Sequence, residues 1–156
     1  MVDLVERIDV LLQQERDFYT CEDYLSPSFQ QKLAEVNAAE SGISTTLSQS
    51  TSSGISSSSS HINEVWREKI CEWSYQVVDH FDFSREVVNI SISFLDRYLV
   101  TRSVDKKVFQ LAAMTTLYLA VKLYEQATLS MTSMIELSRG YFIVDQMADM
   151  EMSILQ

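Results

Sequence analysis

A run of uncharged, mostly apolar positions extends from Val108 to Val121 and ends at Lys122. Its fourteen residues are fewer than the ~20 needed to cross a bilayer. The run is apolar on nearly all sides of a helix, which is typical of a helix enclosed by others. The pattern therefore predicts a buried central helix and leaves open whether Lys122 only reaches solvent or binds a partner.

Apolar positions at helical spacing predict four more helices around the central one. The first runs over about 63–80, and the second follows Ser84, which we expect to be its N-cap. The central helix runs to about 124, with Ser103 or Asp105 as its cap. A short fourth helix over about 131–138 ends before Gly140, and a fifth starts near Val144 and continues to Gln156. The inward positions of the first two helices are Trp66, Ile70, Trp73, Val77 and Phe81, then Val87, Ile90, Phe94, Leu95 and Tyr98.

The N-terminal third has a different pattern. Residues 4–15 predict a short amphipathic helix, Pro27 breaks it, and residues 30–40 form at most a further turn or two. Ser or Thr occupies fourteen of the twenty positions from Ser41 to Ser60. Such a segment has too little apolar surface for its burial to offset the entropy cost of ordering the chain. We therefore expect a helical region over 1–36, a disordered linker over 37–61 and a compact all-α domain over 62–156.

Charge and composition exclude several functional classes. A net charge of −10 argues against nucleic-acid binding, and no membrane span or signal peptide is expected. Cys21 and Cys71 lack metal-ligand spacing, so they predict reduced thiols in the nucleus or cytoplasm. His61 and His80 lie in no catalytic spacing, and no cofactor or phosphate motif is present. The sequence predicts no enzyme activity, no cofactor and no metal site.

Two charges interrupt the second helix within the segment "FLDRYL". Asp96 and Arg97 stand between Leu95 and Tyr98, both of which face inward. A carboxylate near a core is costly unless a cation pairs with it, and Arg67 on the first helix is the candidate partner. Periodicity alone leaves open whether this pair forms or both charges are solvated.

Four segments together resemble the first box of the cyclins. Cyclins carry an R-x-x-x-x-x-W helix, an LDR(Y/F)L helix, a buried helix ending in A-x-K and a helix with M-E-x-x-(I/V)-L. The corresponding segments here are "WREKICEW", "FLDRYL", "LAAMTTLYLAVKLYE" and "DMEMSIL". The resemblance covers 62–156, and residues 4–25 are more loosely similar to the helix before the box. It implies a single five-helix cyclin box preceded by a short N-terminal helix.

This resemblance also implies roles for particular residues. Arg67 and Asp96 match an internal ion pair that fixes the first helix against the second. Lys122, Glu151 and Leu111 match positions assigned to kinase binding, with Lys122 and Glu151 near the kinase's regulatory C-helix. Lys122 would then lie where the buried helix surfaces on the kinase-binding face.

A second set matches an apolar patch that docks substrates or inhibitors in many cell-cycle cyclins. Its members here are Trp66, Trp73, Phe109 and Gln110. Lys69 replaces a usual branched apolar residue, so its charge disfavours such docking. Tyr124 replaces a common acidic residue. A second box is not found in this sequence, and the fifth helix is expected to be cut short.

The resemblance implies a regulatory subunit that binds and activates a cyclin-dependent serine/threonine protein kinase in cell-cycle control. The alternative is a cyclin-fold interaction module, of the transcription type or truncated, that activates no kinase. The expected partners are a kinase and, through the patch, its substrates or inhibitors.

Overall fold

The computed structural model describes residues 2–40 and 62–156, and within these ranges it contains helices and no strand. The all-α prediction is therefore confirmed. The helices are α1 (Val2–Gln14), α2 (Pro27–Glu40), α3 (Glu64–His80), α4 (Glu86–Thr101), α5 (Lys106–Tyr124), α6 (Met131–Leu137) and α7 (Val144–Ile154).

Helix α5 is the centre of a five-helix bundle formed by α3 to α7, as predicted. Eleven of its 19 residues are buried, and it packs against α3, α4, α6 and α7. The neighbouring helices bring Val78, Leu95, Met134 and Met147 into the same core. Within the described ranges, no helix combines the length and apolar character needed to cross a membrane.

The helix starts follow local capping chemistry. Asp105 caps α5, because its carboxylate accepts the Val108 N–H at 2.8 Å, whereas the sequence left Ser103 equally open. Helix α4 begins at Glu86 after Arg85, one position later than a Ser84 N-cap would place it. The Ser84 hydroxyl still accepts the Glu86 N–H at 3.3 Å, so it stabilises the first turn from outside it.

The ends of the last two helices differ slightly from prediction. After α6, Arg139 (φ 54°) and Gly140 (φ 75°) are consecutive left-handed residues. Glycine adopts this conformation freely, but arginine does so at a cost. Helix α7 ends at Ile154 and does not continue to Gln156, and Leu155 caps it.

The N-terminal region contains two helices where one short helix was expected. A single π-helical turn over Glu15–Tyr19 prolongs α1, and the chain becomes extended at Thr20. Pro27 is the first residue of α2, a position where its missing N–H costs nothing, so it starts a helix and breaks none. Helix α2 includes 37–40, which the sequence assigned to the linker. The predicted disorder of 41–61 lies outside the described residues.

Residues between Tyr24 and Gln30, including Leu25 and Phe29, attach this region to the bundle, although α1 leaves its apolar stripe exposed, with Leu4 and Leu11 more than half accessible. Tyr24 is buried in the common core. The Gln30 side-chain amide donates to the Ile62 carbonyl at 3.0 Å. The segment from Tyr24 to Gln30 is therefore the anchor of the N-terminal region.

The tight burial of α5 predicts a large cost for added volume at Ala120, which is fully buried. Ala120→Leu should lower the free energy of unfolding by about 1–3 kcal/mol, because extra methyl groups force neighbouring side chains and backbone apart. Ala127→Leu, at an exposed position after the helix, is the control and should change it by less than about 0.5 kcal/mol. Chemical denaturation measures both, and equal effects would contradict the central position of α5.

Candidate functional site

Arg67 on α3 and Asp96 on α4 form a bidentate ion pair. The Arg67 Nη2 donates to Asp96 Oδ2 at 2.7 Å, and its Nε donates to Oδ1 at 3.2 Å. The side chains are 35% and 20% exposed, so the pair is partly buried. The Asp96 carboxylate accepts these hydrogen bonds and raises the pKa of Arg67 above its ordinary value. Because two parallel hydrogen bonds join the guanidinium to the carboxylate, the pair restrains the orientation of α3 relative to α4.

Tyr24 is a third member of this site that sequence reasoning missed. Its hydroxyl donates to Asp96 Oδ1 at 2.9 Å. Burial, and then the charge of Asp96, raises the pKa of the Tyr24 phenol, which therefore remains a neutral donor. Tyr24 lies 72 positions before Asp96, and no local pattern in the sequence connects them.

Arg97, beside Asp96, stays exposed with its guanidinium 5.4 Å from the centre of the Phe94 ring. Periodicity left open whether Asp96 pairs with Arg67 or both charges of this segment are solvated. In the structure Asp96 is paired and Arg97 is solvated.

Both cysteines line a cavity of about 630 Å³ beside the ion pair. Each is a free thiol. Burial is the largest of the causes that raise the pKa values of Cys21 and Cys71. Because the thiolate is the reactive form, this site favours unreactive thiols.

Lys122 and Glu151 come together where α5 surfaces beside α7. The Lys122 Nζ donates to Glu151 Oε1 at 2.9 Å, and it also lies 5.5 Å from the centre of the Tyr118 ring. The side chain of Lys122 is 52% exposed and that of Glu151 only 13%. The hydrogen bond to Glu151 is the main cause that raises the pKa of Lys122. The pair presents a cation to solvent over a largely covered carboxylate.

Four apolar side chains that neighbour this pair in sequence face solvent. Leu123 and Tyr124 follow Lys122, and Met152 and Leu155 follow Glu151; all four are more than half exposed. Aromatic and Met side chains are enriched at protein interfaces. We call these six residues, which are the ion pair and its four exposed apolar neighbours in sequence, the Lys122 face.

The remaining residues singled out from the sequence are distributed differently. Leu111 lies in the core and is 9% exposed, so it packs inside the bundle and offers little contact surface. Phe109 is also buried, with its ring 6.0 Å from that of Trp66. Trp73 and Gln110 line an open groove of about 910 Å³. The four residues of the expected docking patch therefore do not form one exposed apolar surface.

Comparison with known protein families gives one assignment. The family model for the cyclin N-terminal domain matches residues 37–156. The chain belongs to this family. The cyclin resemblance of the sequence motifs is thereby confirmed, and the five helices α3 to α7 are its cyclin box.

Similar individual proteins are named as mitotic cyclins. The chain is 30% identical to the G2/mitotic-specific cyclin-B2 of Rana japonica over 95 residues, which cover 61% of this chain and 24% of that protein. It is 30% identical to the G2/mitotic-specific cyclin-2 of Antirrhinum majus, over 60% of this chain and 21% of that protein. It is 36% identical to the G2/mitotic-specific cyclin-A1 of Caenorhabditis elegans, over 43% of this chain and 14% of that protein. The chain thus spans about a quarter or less of the length of these relatives.

The Arg67–Asp96 pair predicts a measurable loss of stability when its cation is removed. Arg67→Ala should lower the free energy of unfolding by about 1–2 kcal/mol, because Asp96 keeps only the Tyr24 hydroxyl as a partner. This is less than the 3–5 kcal/mol of a fully buried pair, since both side chains are partly hydrated. Arg85→Ala is the matched control: Arg85 makes the same bidentate pair with Asp79, but at exposures of 69% and 46%. The control should leave the thermal midpoint unchanged, and an equal effect of both would show that the Arg67 pair is solvated.

The Tyr24 hydroxyl should contribute stability in a pH-dependent way. Tyr24→Phe should cost about 1 kcal/mol at neutral pH, because a hydrogen bond to a carboxylate is lost. The raised pKa of Tyr24 means that the unfolded chain loses this proton first, near its ordinary pKa of about 10. The hydroxyl's contribution is therefore complete below about pH 10 and declines above it. Denaturation of wild type and Tyr24→Phe across this range tests it, with Tyr19→Phe as the exposed control; a difference that grows above pH 10 would contradict the assignment.

Proposed function

We propose that the chain is a regulatory cyclin subunit that binds and activates a cyclin-dependent serine/threonine protein kinase in cell-cycle control. The observation that carries the proposal is the Lys122–Glu151 pair, with four exposed apolar side chains close to it in sequence. The family supports a regulatory role, and the mitotic names of the relatives support the cell-cycle setting. An action in the nucleus or cytoplasm is part of the same proposal.

The Lys122 face has the chemistry to bind a protein backbone. A lysine ammonium has three N–H donors, and Glu151 takes one of them. Two donors remain for carbonyl groups at the end of a partner helix, where such groups lack intrahelical partners. The second carboxylate oxygen of Glu151 can accept a partner N–H. The exposed apolar side chains then supply the area that excludes water from these polar contacts.

Activation follows from the rigidity of the bundle. A protein kinase is active only when its C-helix Glu reaches the catalytic Lys and its activation loop is ordered. A partner that binds this arrangement preferentially shifts the population toward it, and a change from 1:99 to 99:1 needs about 10⁴-fold preference. The Arg67–Asp96–Tyr24 cluster, which holds α3 and α4 in one geometry, would keep the kinase-facing surface from adapting to the inactive form. The chain itself contributes no catalytic group in this mechanism.

Removal of both charges should separate binding from folding. We expect Lys122→Ala with Glu151→Ala to abolish kinase capture, because truncating desolvated charges at an interface costs about 2–5 kcal/mol of binding free energy. The double variant is preferable to Lys122→Ala alone, which would leave Glu151 mostly covered and without its cation. Helicity by circular dichroism should stay at the wild-type level. The readouts are recovery of a cyclin-dependent kinase from a dividing-cell lysate and its phosphotransfer activity.

Lys32→Ala with Glu35→Ala is the matched control, because it removes an exposed Lys and Glu from α2. It should retain both binding and activation. A folded Lys122–Glu151 variant that recovers active kinase normally would overturn the proposed face. Kinase recovered without activity by the wild type would favour the alternative of an interaction module.

A further inference from the structure

A cluster of cations surrounds one groove of this strongly acidic chain. Lys69 on α3, Lys106 and Lys107 on α5, and Arg139 after α6 all line it. The only carboxylate among the lining residues, that of Asp105, already accepts the Val108 N–H. None of the four cations pairs with a carboxylate among the described residues. We call this cavity the basic groove; Trp73 and Tyr141 also line it.

Two of these cations stand where they do not favour the fold. Lys106 and Lys107 occupy the first turn of α5, which contains no acidic residue. The positive end of the helix dipole lies there, so each lysine weakens the helix start. Arg139 adds a left-handed backbone at the rim. Departures from local preference that gather at one place are typical of functional sites.

Contacts with aromatic rings direct the two neighbouring lysines to different sides. The Lys106 Nζ lies 5.3 Å from the centre of the Trp66 ring on α3. The Lys107 Nζ lies 5.7 Å from the centre of the Tyr141 ring, in the segment between α6 and α7. Tyr141 lines the groove but Trp66 does not, so the two ammonium groups diverge and do not converge on one point.

Apolar side chains form the floor between these cations. Ile70 and Trp73 come from α3, Met114 from α5, and Leu137 and Phe142 from the α6 side. With a volume of about 910 Å³, the groove has room for an extended peptide with one or two apolar side chains. Its open shape also leaves the cations able to meet charges along such a peptide.

We propose that the basic groove binds an acidic peptide segment of a partner protein, in which carboxylates flank an apolar or aromatic residue. Charge complementarity carries this assignment: four cations meet several carboxylates while the floor takes the apolar side chain. Arginine forks hold a phosphate bidentately, whereas three of the four cations here are lysines and the four are dispersed. A basic peptide would meet like charges on both sides. The docking patch implied by family resemblance is thus replaced by a surface of different charge.

This inference does not depend on the proposed kinase partner. Lys106 and Lys122 are 16 positions apart on α5, or about 24 Å at the rise of an α-helix. The two surfaces can therefore be changed separately. Groove variants should keep kinase capture, and variants of the Lys122 face should keep peptide binding.

Fluorescence anisotropy of labelled peptides on the full chain tests the proposal. The probe is a short peptide of Glu and Asp around a central Leu-Phe pair. Matched probes replace the acidic residues by Gln, replace them by Lys, replace Leu-Phe by Ser-Ser, or place one phosphoserine in the Gln peptide. We expect the acidic probe to bind at least about tenfold more tightly than each of the others, and to weaken as salt rises.

The decisive variant is Lys106→Glu with Lys107→Glu, which should weaken the acidic probe by at least about tenfold. Carboxylates in the first turn suit the helix dipole, so the fold should persist. A second variant, Lys69→Gln with Arg139→Gly, removes the other two cations and gives position 139 a residue suited to its backbone. Arg7→Glu with Lys32→Glu is the control, because it changes net charge equally at exposed positions outside the groove.

Loss of binding in both groove variants with retention in the control would support the assignment. Equal weakening in the control would overturn it in favour of general electrostatic attraction. Tighter binding of the phosphoserine or Lys probe would overturn it in favour of a phosphopeptide or a basic partner. Absence of measurable binding by the wild type to the acidic probe would also overturn it.

Discussion

The burial of α5 is the constraint on which the rest of the fold depends. A helix whose middle is apolar on all sides cannot be stable until other helices cover every face. Helices α3, α4, α6 and α7 provide this cover, and none of them could do so alone. The ends of α5 are the places where it meets solvent, and both proposed interaction surfaces lie there: the basic groove at Lys106 and the Lys122 face at the other end.

The two ends of α5 differ in the charge that surrounds them. With a net charge of −10, the chain repels acidic partners at long range, yet four cations from α3, α5 and the segment after α6 line one groove near the start of α5. At the other end, Lys122 is balanced by Glu151. Net charge therefore argues against an extended nucleic-acid surface but does not describe the local surface, where a groove of opposite sign can select short acidic segments.

The sequence predicted most of the bundle because its signals are local. Helical spacing found α3 to α7 within a few residues, and the cyclin motifs pointed to Arg67, Asp96, Lys122 and Glu151. Asp96 could be given a partner because it interrupts an inward-facing stripe, whereas Lys122 and Glu151 lie at positions where solvation is unremarkable, so nothing in the sequence pairs them. Tyr24 was missed because it lies 72 positions before Asp96, outside the motifs. Pro27 was misread because proline favours the first turn of a helix as well as its interruption. Leu111 and Phe109 matched surface roles in type, but only packing shows that α5 turns them inward.

The Lys122–Glu151 pair also affects the rate at which a complex formed through it would dissociate. Long side chains lose up to about 2 kcal/mol of rotamer entropy each when they are fixed. Here the hydrogen bond and the Tyr118 ring restrict Lys122 before any partner arrives. Because Lys122 is already ordered in the free chain, the entropy cost of ordering it does not reduce the binding free energy. A partner that engages both groups would therefore gain mainly in residence time, since affinity differences among related interfaces lie mostly in dissociation.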